Sequence, residues 1–412
     1  MFERLAGDDG SVVADRDFRV LLLASVASPL GASVVSPILD SLTGPFGVGE
    51  ARIGLLLAVF TAPAVVLIPV VGVVSDRYGR KPVLAAGLVL FGAAGMAIAL
   101  TTDFRTALAL RLLQGVGYAG VAPVLIASVG DLYEGDREAT AQGLRFTTVG
   151  VSLTVFPLVS GVLGGVAWQA PFAIYVVALA AAAVVLLAFE EPGRSADAPV
   201  VGAETDGGRP GWNVRALVAM ARRPAVAATL VGRAAPSFVW FVFLTHNSLL
   251  VVRVLGGTPG QAGAVVALAS LASSVGSTQV GRLTARFDSR RVPLLVSLVA
   301  LTGGVGLVGA APSVVAVGAA SLLAGAGFGV VLTLYRSTLS AVATDDVRGG
   351  LVSVGESVGR LGSTAAPVVL GVAVAATRVD LGFAGAVRTA TVGATLVAAA
   401  VGVGATVVAT RG

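Results

Sequence analysis

Gly72-Val73-Val74-Ser75-Asp76-Arg77-Tyr78-Gly79-Arg80-Lys81 is the point at which a long apolar segment meets a cluster of charges. Asp76 at such a boundary requires a nearby cation or a helix N-terminus, and three cations follow it within five residues. Gly79 permits a tight turn. We interpret the cluster either as a gate, which latches two parts of the molecule in one state and releases them in another, or as charges that only set topology. The candidate gating residues are Gly72, Asp76, Arg77, Gly79, Arg80 and Lys81.

The segment before this cluster is one of twelve apolar segments, each long enough, at about 20 residues, to cross a bilayer as a helix. They lie at residues 20–38, 53–74, 83–100, 107–129, 141–163, 172–189, 225–250, 262–280, 292–310, 314–334, 351–375 and 389–408. Their apolarity is continuous, whereas the strands of a membrane barrel alternate apolar and polar residues. The sequence therefore predicts an all-α membrane protein with twelve transmembrane helices.

Composition supports a lipid environment and excludes several kinds of site. Only 12% of the 412 residues are charged, and 56% are hydrophobic, whereas an average soluble domain carries about 25% charged residues. There is no cysteine and one histidine, His246, which excludes disulfides and Cys- or His-rich metal sites. The arginines lie between the apolar spans and not in one patch, so nucleic acid is not an expected partner. We expect no cofactor and no metal.

The distribution of basic residues predicts an orientation. With the N-terminus in the cytoplasm, the cytoplasmic segments hold twenty of the 28 basic residues and the outer segments hold five. Because cytoplasmic loops are enriched in Lys and Arg, both termini are predicted to be cytoplasmic, in a multi-pass protein of the plasma membrane. Residues 1–17 lack a basic region followed by a cleavage site, so the first span is expected to be retained as a helix.

The two halves of the chain repeat each other at an offset of 210 residues. LLQGVGYAG (112–120) corresponds to LLAGAGFGV (322–330). At the same offset Asp136 falls on Asp346, Pro157 on Pro367, and Gly161 on Gly371. Parallel repeats imply two bundles related by an axis along the membrane normal, with a cavity between them. We predict six-helix bundles at 1–189 and 225–412, joined by a cytoplasmic linker at 190–224 that is rich in Pro, Gly, Asp and Glu.

Residues 72–81 resemble the loop G-x-x-x-D-R-x-G-R-K of the major facilitator superfamily at every fixed position. Arg111-Leu-Leu-Gln114-Gly115-Val-Gly117 is similar to the R-x-x-Q-G-x-G pattern of that superfamily. Gly150, Pro157 and Gly161 resemble the glycine-proline motif of its drug:proton antiporters, although Phe156 and Ser160 stand where that motif usually has glycine. The resemblance implies a transporter whose central site between two halves is exposed alternately to each side.

Charges inside the spans are costly and therefore informative. By the resemblance, Arg111, with Gln114, would assist proton transfer or substrate binding; from the residues alone, Arg111 can equally be a structural tie between helices. Glu356 and Arg360 are four residues apart and predicted to be within reach of each other on one helix face. Glu356 is then either a proton carrier or a residue near the membrane surface whose ion pair holds a gate closed.

Three further polar residues each allow two interpretations. Asp40 is expected as a solvated helix cap, with a coupling acid as the alternative. Arg233 can attract an anionic substrate or extend to the cytoplasmic surface. His246 is expected to be polar packing, although an unperturbed histidine would titrate near neutrality.

The sequence argues against enzymatic chemistry. Gly325-Ala-Gly327-Phe-Gly329 lies inside an apolar span with no strand before it, so it is not a phosphate-binding loop, and there is no Walker sequence and no nucleophile-base-acid set. We predict a monomeric secondary transporter that moves a small-molecule substrate, coupled to protons, with efflux of an amphipathic compound as the leading direction. Uptake symport of a small metabolite is the alternative, and a membrane-embedded sensor or enzyme is a weaker one.

Overall fold

The computed structural model describes residues 10–191, 214–287, 289–342 and 348–409, and these ranges contain helices but no strand. The first seven helical segments that can cross a membrane are α1 (Arg16–Thr43), α2 (Glu50–Tyr78), α3 (Arg80–Leu100), α4 (Phe104–Leu132), α5 (Gly135–Val166), α6 (Ala170–Ala188) and α7 (Pro224–Val254). Then follow α8 (Pro259–Thr278, continued by Val280–Phe287 after a 50° bend), α9 (Arg291–Ala310) and α10 (Val314–Val342).

The last segment, Arg348–Ala409, contains two helices. They meet at Gly382, whose φ of +65° and ψ of 176° are not helical and favour glycine. We label residues 348–381 α11 and residues 383–409 α12. The described chain thus has twelve membrane helices, which confirms the predicted all-α membrane fold.

Local sequence accounts for several helix ends. α4 begins after Asp103, whose carboxylate accepts from the backbone N–H of Thr106 at 2.8 Å. Hydrogen bonds from Thr106 also lower the pKa of the Asp103 carboxyl. α8 begins with a capping box formed by Thr258 and Gln261, which satisfies two helix-end donors reciprocally.

Many of the predicted helix ends are wrong by several residues. α10, predicted to end at 334, continues to Val342, and α5 begins at Gly135 and not at 141. The apolar run stops at the first charge, whereas the backbone hydrogen bonds continue through it. Most of the predicted linker lies in residues 192–213, which are outside the described residues. Asp346 lies in residues 343–347, which are also outside them.

Helix packing reproduces the internal repeat at single-residue resolution. A Cβ on Gly117 of α4 would lie 2.6 Å from the backbone N of Phe91 and 2.8 Å from the carbonyl oxygen of Gly87 in α3. A Cβ on Gly327 of α10 would meet the equivalent atoms of Leu301 and Ser297 in α9, both at 2.5 Å. All three pairs of positions differ by 210. Glycine is needed at both places because the two backbones approach closely.

Helices α1–α6 form one group and α7–α12 another, and the groups meet along α5 with α8 and α2 with α11. At one end of the molecule these pairs are in backbone contact. Gly161 of α5 lies against the carbonyl oxygen of Pro259, and Gly371 of α11 lies against that of Ala51. Gly161 and Gly371 are repeat equivalents, so the same small-residue contact seals both seams. We call this end, which carries the α1–α2, α7–α8 and α11–α12 connections, the closed end, and the other the open end.

Candidate functional site

Four charged residues join the two groups of helices at the closed end. We call Asp40, Glu50, Arg253 and Arg378 the closed-end network. The Nε of Arg253 in α7 lies 2.8 Å from Oδ1 of Asp40 in α1, and its guanidinium also pairs with Glu50 at the start of α2. The Nη1 of Arg378 in α11 lies 2.9 Å from the other carboxylate oxygen of Glu50, whose side chain is only 8% exposed.

Asp40 therefore has a different role from the expected one. Its side chain is 12% exposed and ion-paired with Arg253, so the prediction of a solvated helix cap is wrong. The partner lies on the other half of the chain, 213 residues away in sequence, which no local pattern reveals. The network ties α1 and α2 to α7 and α11.

Two hydrogen bonds join the groups nearer the middle of the helices. The hydroxyls of Thr61 in α2 and Thr364 in α11 are 2.9 Å apart. The Nη2 of Arg360 in α11 donates to the hydroxyl of Tyr118 in α4 at 2.8 Å. These bonds mark the depth to which the halves are in contact, and Gly72, further toward the open end on α2, faces open space.

Between this depth and the open end lies a group of cations from both halves. We call Arg145, Arg233, Arg336 and Arg360, with Glu356 and Tyr118, the arginine cluster. The carboxylate of Glu356 binds the Nε of Arg336 at 2.7 Å and the Nη2 of Arg233 at 3.3 Å. The side chain of Arg336 is 44% exposed, so solvent reaches the cluster.

The predicted pairing of Glu356 with Arg360 is not present. Glu356 binds arginines from α7 and α10, whereas Arg360 crosses to Tyr118 of the other half. Helical spacing placed the two residues on one helix and within reach of each other, but partners from neighbouring helices offer better geometry. Of the predicted candidates, the structure thus brings Glu356, Arg360 and Arg233 together.

Arg233 does not extend to the membrane surface. Its side chain is 4% exposed, its Nη1 donates to Ser237 at 2.6 Å, and the guanidinium packs where a Cβ on Gly359 would lie. Of the two interpretations of Arg233, the one in which the side chain extends to the cytoplasmic surface is therefore wrong, and attraction of an anionic substrate stays a prediction. His246 is buried as polar packing, with Nδ1 2.7 Å from the hydroxyl of Thr391.

Arg145 of α5 is the least satisfied cation of the cluster. The residue is 3% exposed, its Nε donates to Gln142 at 3.1 Å, and its Nη2 has no hydrogen-bond partner among the described residues. Arg336 and Tyr118 are close enough to influence its charge. A buried, incompletely paired guanidinium is costly, which points to a function.

Arg111 and Gln114 lie elsewhere, inside the first half. Arg111 is 0% exposed. Its guanidinium donates to the carbonyls of Leu56 and Gly31, each at 2.8 Å, and to Oε1 of Gln114 at 2.5 Å. These bonds connect α1, α2 and α4, and they match the structural tie that the residues alone allowed.

We expect Arg111→Gln to destabilise the protein by about 3 kcal/mol, because two buried carbonyls would lose charge-assisted donors. Thermal unfolding followed by tryptophan fluorescence in detergent measures the effect. Arg105→Gln is the matched control, since Arg105 is an exposed arginine on the same helix. An unchanged unfolding midpoint for Arg111→Gln would contradict the structural role.

The candidate gating residues form a compact charge group at the open end. Gly79 has a φ of +103° between α2 and α3. Arg80 lies 2.5 Å from Asp76 and 2.7 Å from Asp131 at the end of α4. The carboxylate of Glu191 accepts the backbone N–H groups of Arg80 at 2.5 Å and Lys81 at 2.9 Å. Arg80 thus ties α2, α3 and α4 together, and a latch to the other half stays a prediction.

The helix-5 residues lie at the seam with α8. A Cβ on Gly150 would meet Ser274, the carbonyl of Pro157 contacts Gly263, and Gly161 contacts Pro259. These three positions therefore let α5 and α8 approach closely.

Sequence reasoning missed several of these residues. The twenty basic residues predicted to be cytoplasmic include Arg145 and Arg336. Arg145, however, falls inside the predicted span 141–163, and a charge inside a span was the available signal. Tyr118 carried no signal beyond its motif. Glu50, Arg253 and Arg378 lie at helix ends where charges are ordinary, so only the packing of the halves reveals their network.

Two related helix groups, in backbone contact at one end and with a partly exposed arginine cluster toward the other, have the architecture of a transmembrane transporter. The chain belongs to the Major Facilitator Superfamily, whose sequence profile matches residues 21–367. The resemblance of residues 72–81 is thereby confirmed.

Relatives of known function include transporters of different kinds. The chain is 28% identical over 325 residues to the 3-(3-hydroxy-phenyl)propionate transporter of Escherichia coli, covering 76% of each protein. It is 33% identical over 162 residues to the bacillibactin exporter of Bacillus subtilis. This alignment covers 37% of this chain and only 40% of that relative. A bacterial homolog of the lysosomal transporter Spinster, solved in an inward-facing and unoccupied conformation, shares the fold with a TM-score of 0.80 and 18% identity, over 96% of this chain and 97% of that one.

Proposed function

We propose that the chain is a secondary active transporter that exposes the arginine cluster alternately to the two sides of the plasma membrane. One observation carries the proposal. The ion pairs of Asp40, Glu50, Arg253 and Arg378 hold one end of the molecule closed, whereas the arginine cluster is exposed to solvent toward the opposite end. The excess of basic residues in the segments at the open end supports a cytoplasmic location for that end. The described conformation is then inward-facing.

Proton-coupled efflux is the leading direction, and Glu356 is the candidate proton carrier. The partial glycine-proline motif at Gly150, Pro157 and Gly161 and the similarity to an exporter support efflux. The second candidate is proton-coupled uptake, for which the similarity to the 3-(3-hydroxy-phenyl)propionate transporter over most of both chains offers a small organic solute as precedent. A single chain supplies the residues of both halves that form the arginine cluster, which favours a monomeric unit.

Growth under a panel of toxic amphipathic compounds, with and without the expressed chain, separates the two directions. Efflux predicts protection and uptake predicts greater sensitivity. Glu356→Gln should abolish the protection at equal protein abundance, because the only carboxylate of the arginine cluster could no longer exchange a proton. Asp380→Asn, an exposed acid on the same helix α11, is the control and should protect normally.

Counterflow exchange in proteoliposomes separates lost coupling from lost folding. Glu356→Gln should still exchange a compound identified in the screen, since exchange requires no net proton movement. Full pH-driven transport by Glu356→Gln would disprove the coupling role. Equal growth with and without the chain across the panel would remove the support for efflux.

A further inference from the structure

We propose that the arginine cluster binds the carboxylate of an amphipathic organic anion, with Arg145 as the principal free donor. The proposal rests on the transport function above, because residues of both halves form the cluster. It adds a substrate class and a binding residue that the motifs of the sequence do not supply.

The charge of the cluster is not balanced by the described residues that surround it. Four guanidinium groups share the single carboxylate of Glu356, which is bound to Arg233 and Arg336. Arg360 donates to a neutral phenol and Arg145 to a neutral amide. A guanidinium is always charged and presents five donors in a planar fork that matches a carboxylate. An anion supplied from outside would complete both the charge and the hydrogen bonding.

Both halves contribute to the site. Arg145 and Tyr118 come from α5 and α4, whereas Arg336 and Arg360 come from α10 and α11. Arg145 and Arg336 also repel each other electrostatically, so an anion between them would relieve that repulsion. Because it would draw the two halves together at the open end, its binding would favour the alternate conformation.

The aromatic residues nearby favour an organic anion over a small inorganic one. Phe328 in α10 is the repeat equivalent of Tyr118 in α4, and it stacks on Trp240 with ring centroids 4.3 Å apart. The ring centroid of Tyr118 itself lies 5.4 Å from that of Phe60. Trp240 lies two turns beyond Arg233 along α7, so this aromatic pair is on the closed-end side of the arginine cluster. Cations beside aromatic rings fit a molecule with a carboxylate and an apolar body.

Binding to the purified full chain in detergent tests the proposal without any transport step. The probes are 3-phenylpropionate, salicylate and 2,3-dihydroxybenzoate, each compared with its uncharged amide by isothermal titration. We expect at least one carboxylate to bind and its amide to bind at least tenfold more weakly, because charge-assisted bonds to guanidinium are the strong ones.

Variants locate the site. Arg145→Gln should weaken carboxylate binding about tenfold, Arg145→Lys should restore part of it by keeping the charge, and Arg105→Gln should bind normally. Unfolding midpoints show whether each variant is folded. If no carboxylate binds, if the amides bind equally well, or if Arg145→Gln binds as tightly as the wild type, the proposal is overturned.

An anionic lipid headgroup offers the same chemistry as a soluble carboxylate. The titration is therefore repeated in nanodiscs of phosphatidylcholine alone and with phosphatidylglycerol. We expect similar affinities in both. Loss of carboxylate binding on adding phosphatidylglycerol would assign the cluster to a lipid and overturn the proposal. Failure of alternating access would instead leave this equilibrium binding intact, so the two proposals fail separately.

Discussion

Gly161→Val should reduce transport at least tenfold, because a side chain at this position prevents closure of the closed end. Even a Cβ on Gly161 would overlap the carbonyl oxygen of Pro259 and crowd Gly260, and backbone atoms cannot rotate away as a side chain can. Such overpacking costs about 1–3 kcal/mol. Since the overlap exists only when this end is closed, the cost falls on one conformation and shifts the population away from it.

Gly165→Val is the matched control for this substitution. Gly165 lies four residues further along α5, and no neighbouring atom of the described residues lies within 4 Å of its Cβ position. Both variants carry the same β-branched residue in the same helix, so a general loss of helix stability would affect them equally. Initial rates with a compound found in the growth screen measure the effect. Equal rates for Gly161→Val and the wild type would show that close packing at this seam is dispensable.

Glu50→Gln should open the closed end and slow transport by about tenfold. Glu50 binds both Arg253 and Arg378 while its side chain is 8% exposed. The amide is isosteric but uncharged, so two guanidinium groups lose a shared carboxylate. Removing one partner of a buried ion pair generally costs about 3–5 kcal/mol of stability. The cost of removing the charge of Glu50 is smaller, because its partner Arg378 is half-exposed and solvent screens the interaction.

Accessibility of the closed end measures this effect directly. The chain has no cysteine, so a single cysteine at Ser36 reports whether this buried seam, where Ser36 donates to the carbonyl of Leu244, becomes reachable by an impermeant maleimide. Labelling should be faster with Glu50→Gln than without it. Asp380→Asn, which removes an exposed acid at the same end, should leave the rate unchanged. No acceleration with Glu50→Gln would mean that the ion pairs do not hold this end.

The helix count and the internal repeat were predictable because each depends on short stretches of sequence and not on contacts between distant residues. Continuous apolar runs mark each span, and Gly117 and Gly327 stand at one offset because each must admit a neighbouring backbone. The seam glycines Gly161 and Gly371 were noticed as repeats, but their contact partners across the seam were not predictable.

The site was predictable only where a charge interrupted an apolar run. Glu356, Arg360 and Arg233 were candidates for that reason, yet their pairing was not foreseen, since Arg336 reaches Glu356 from another helix. Arg111 carried the same signal and proved to be satisfied by buried carbonyls of its own half. Spacing along one helix specifies a face, and only the packing of several helices specifies what that face meets.

Reciprocal movement of the two ends tests the central claim most directly. Double electron–electron resonance needs two pairs of spin labels in this cysteine-free chain: Val166 with Val379 at the closed end, and Leu187 with Phe287 at the open end, all exposed. Introducing Glu50→Gln and Gly161→Val together should lengthen the first distance and shorten the second. Distances that stay fixed, or that lengthen at both ends, would contradict a transporter whose halves close alternately around the arginine cluster.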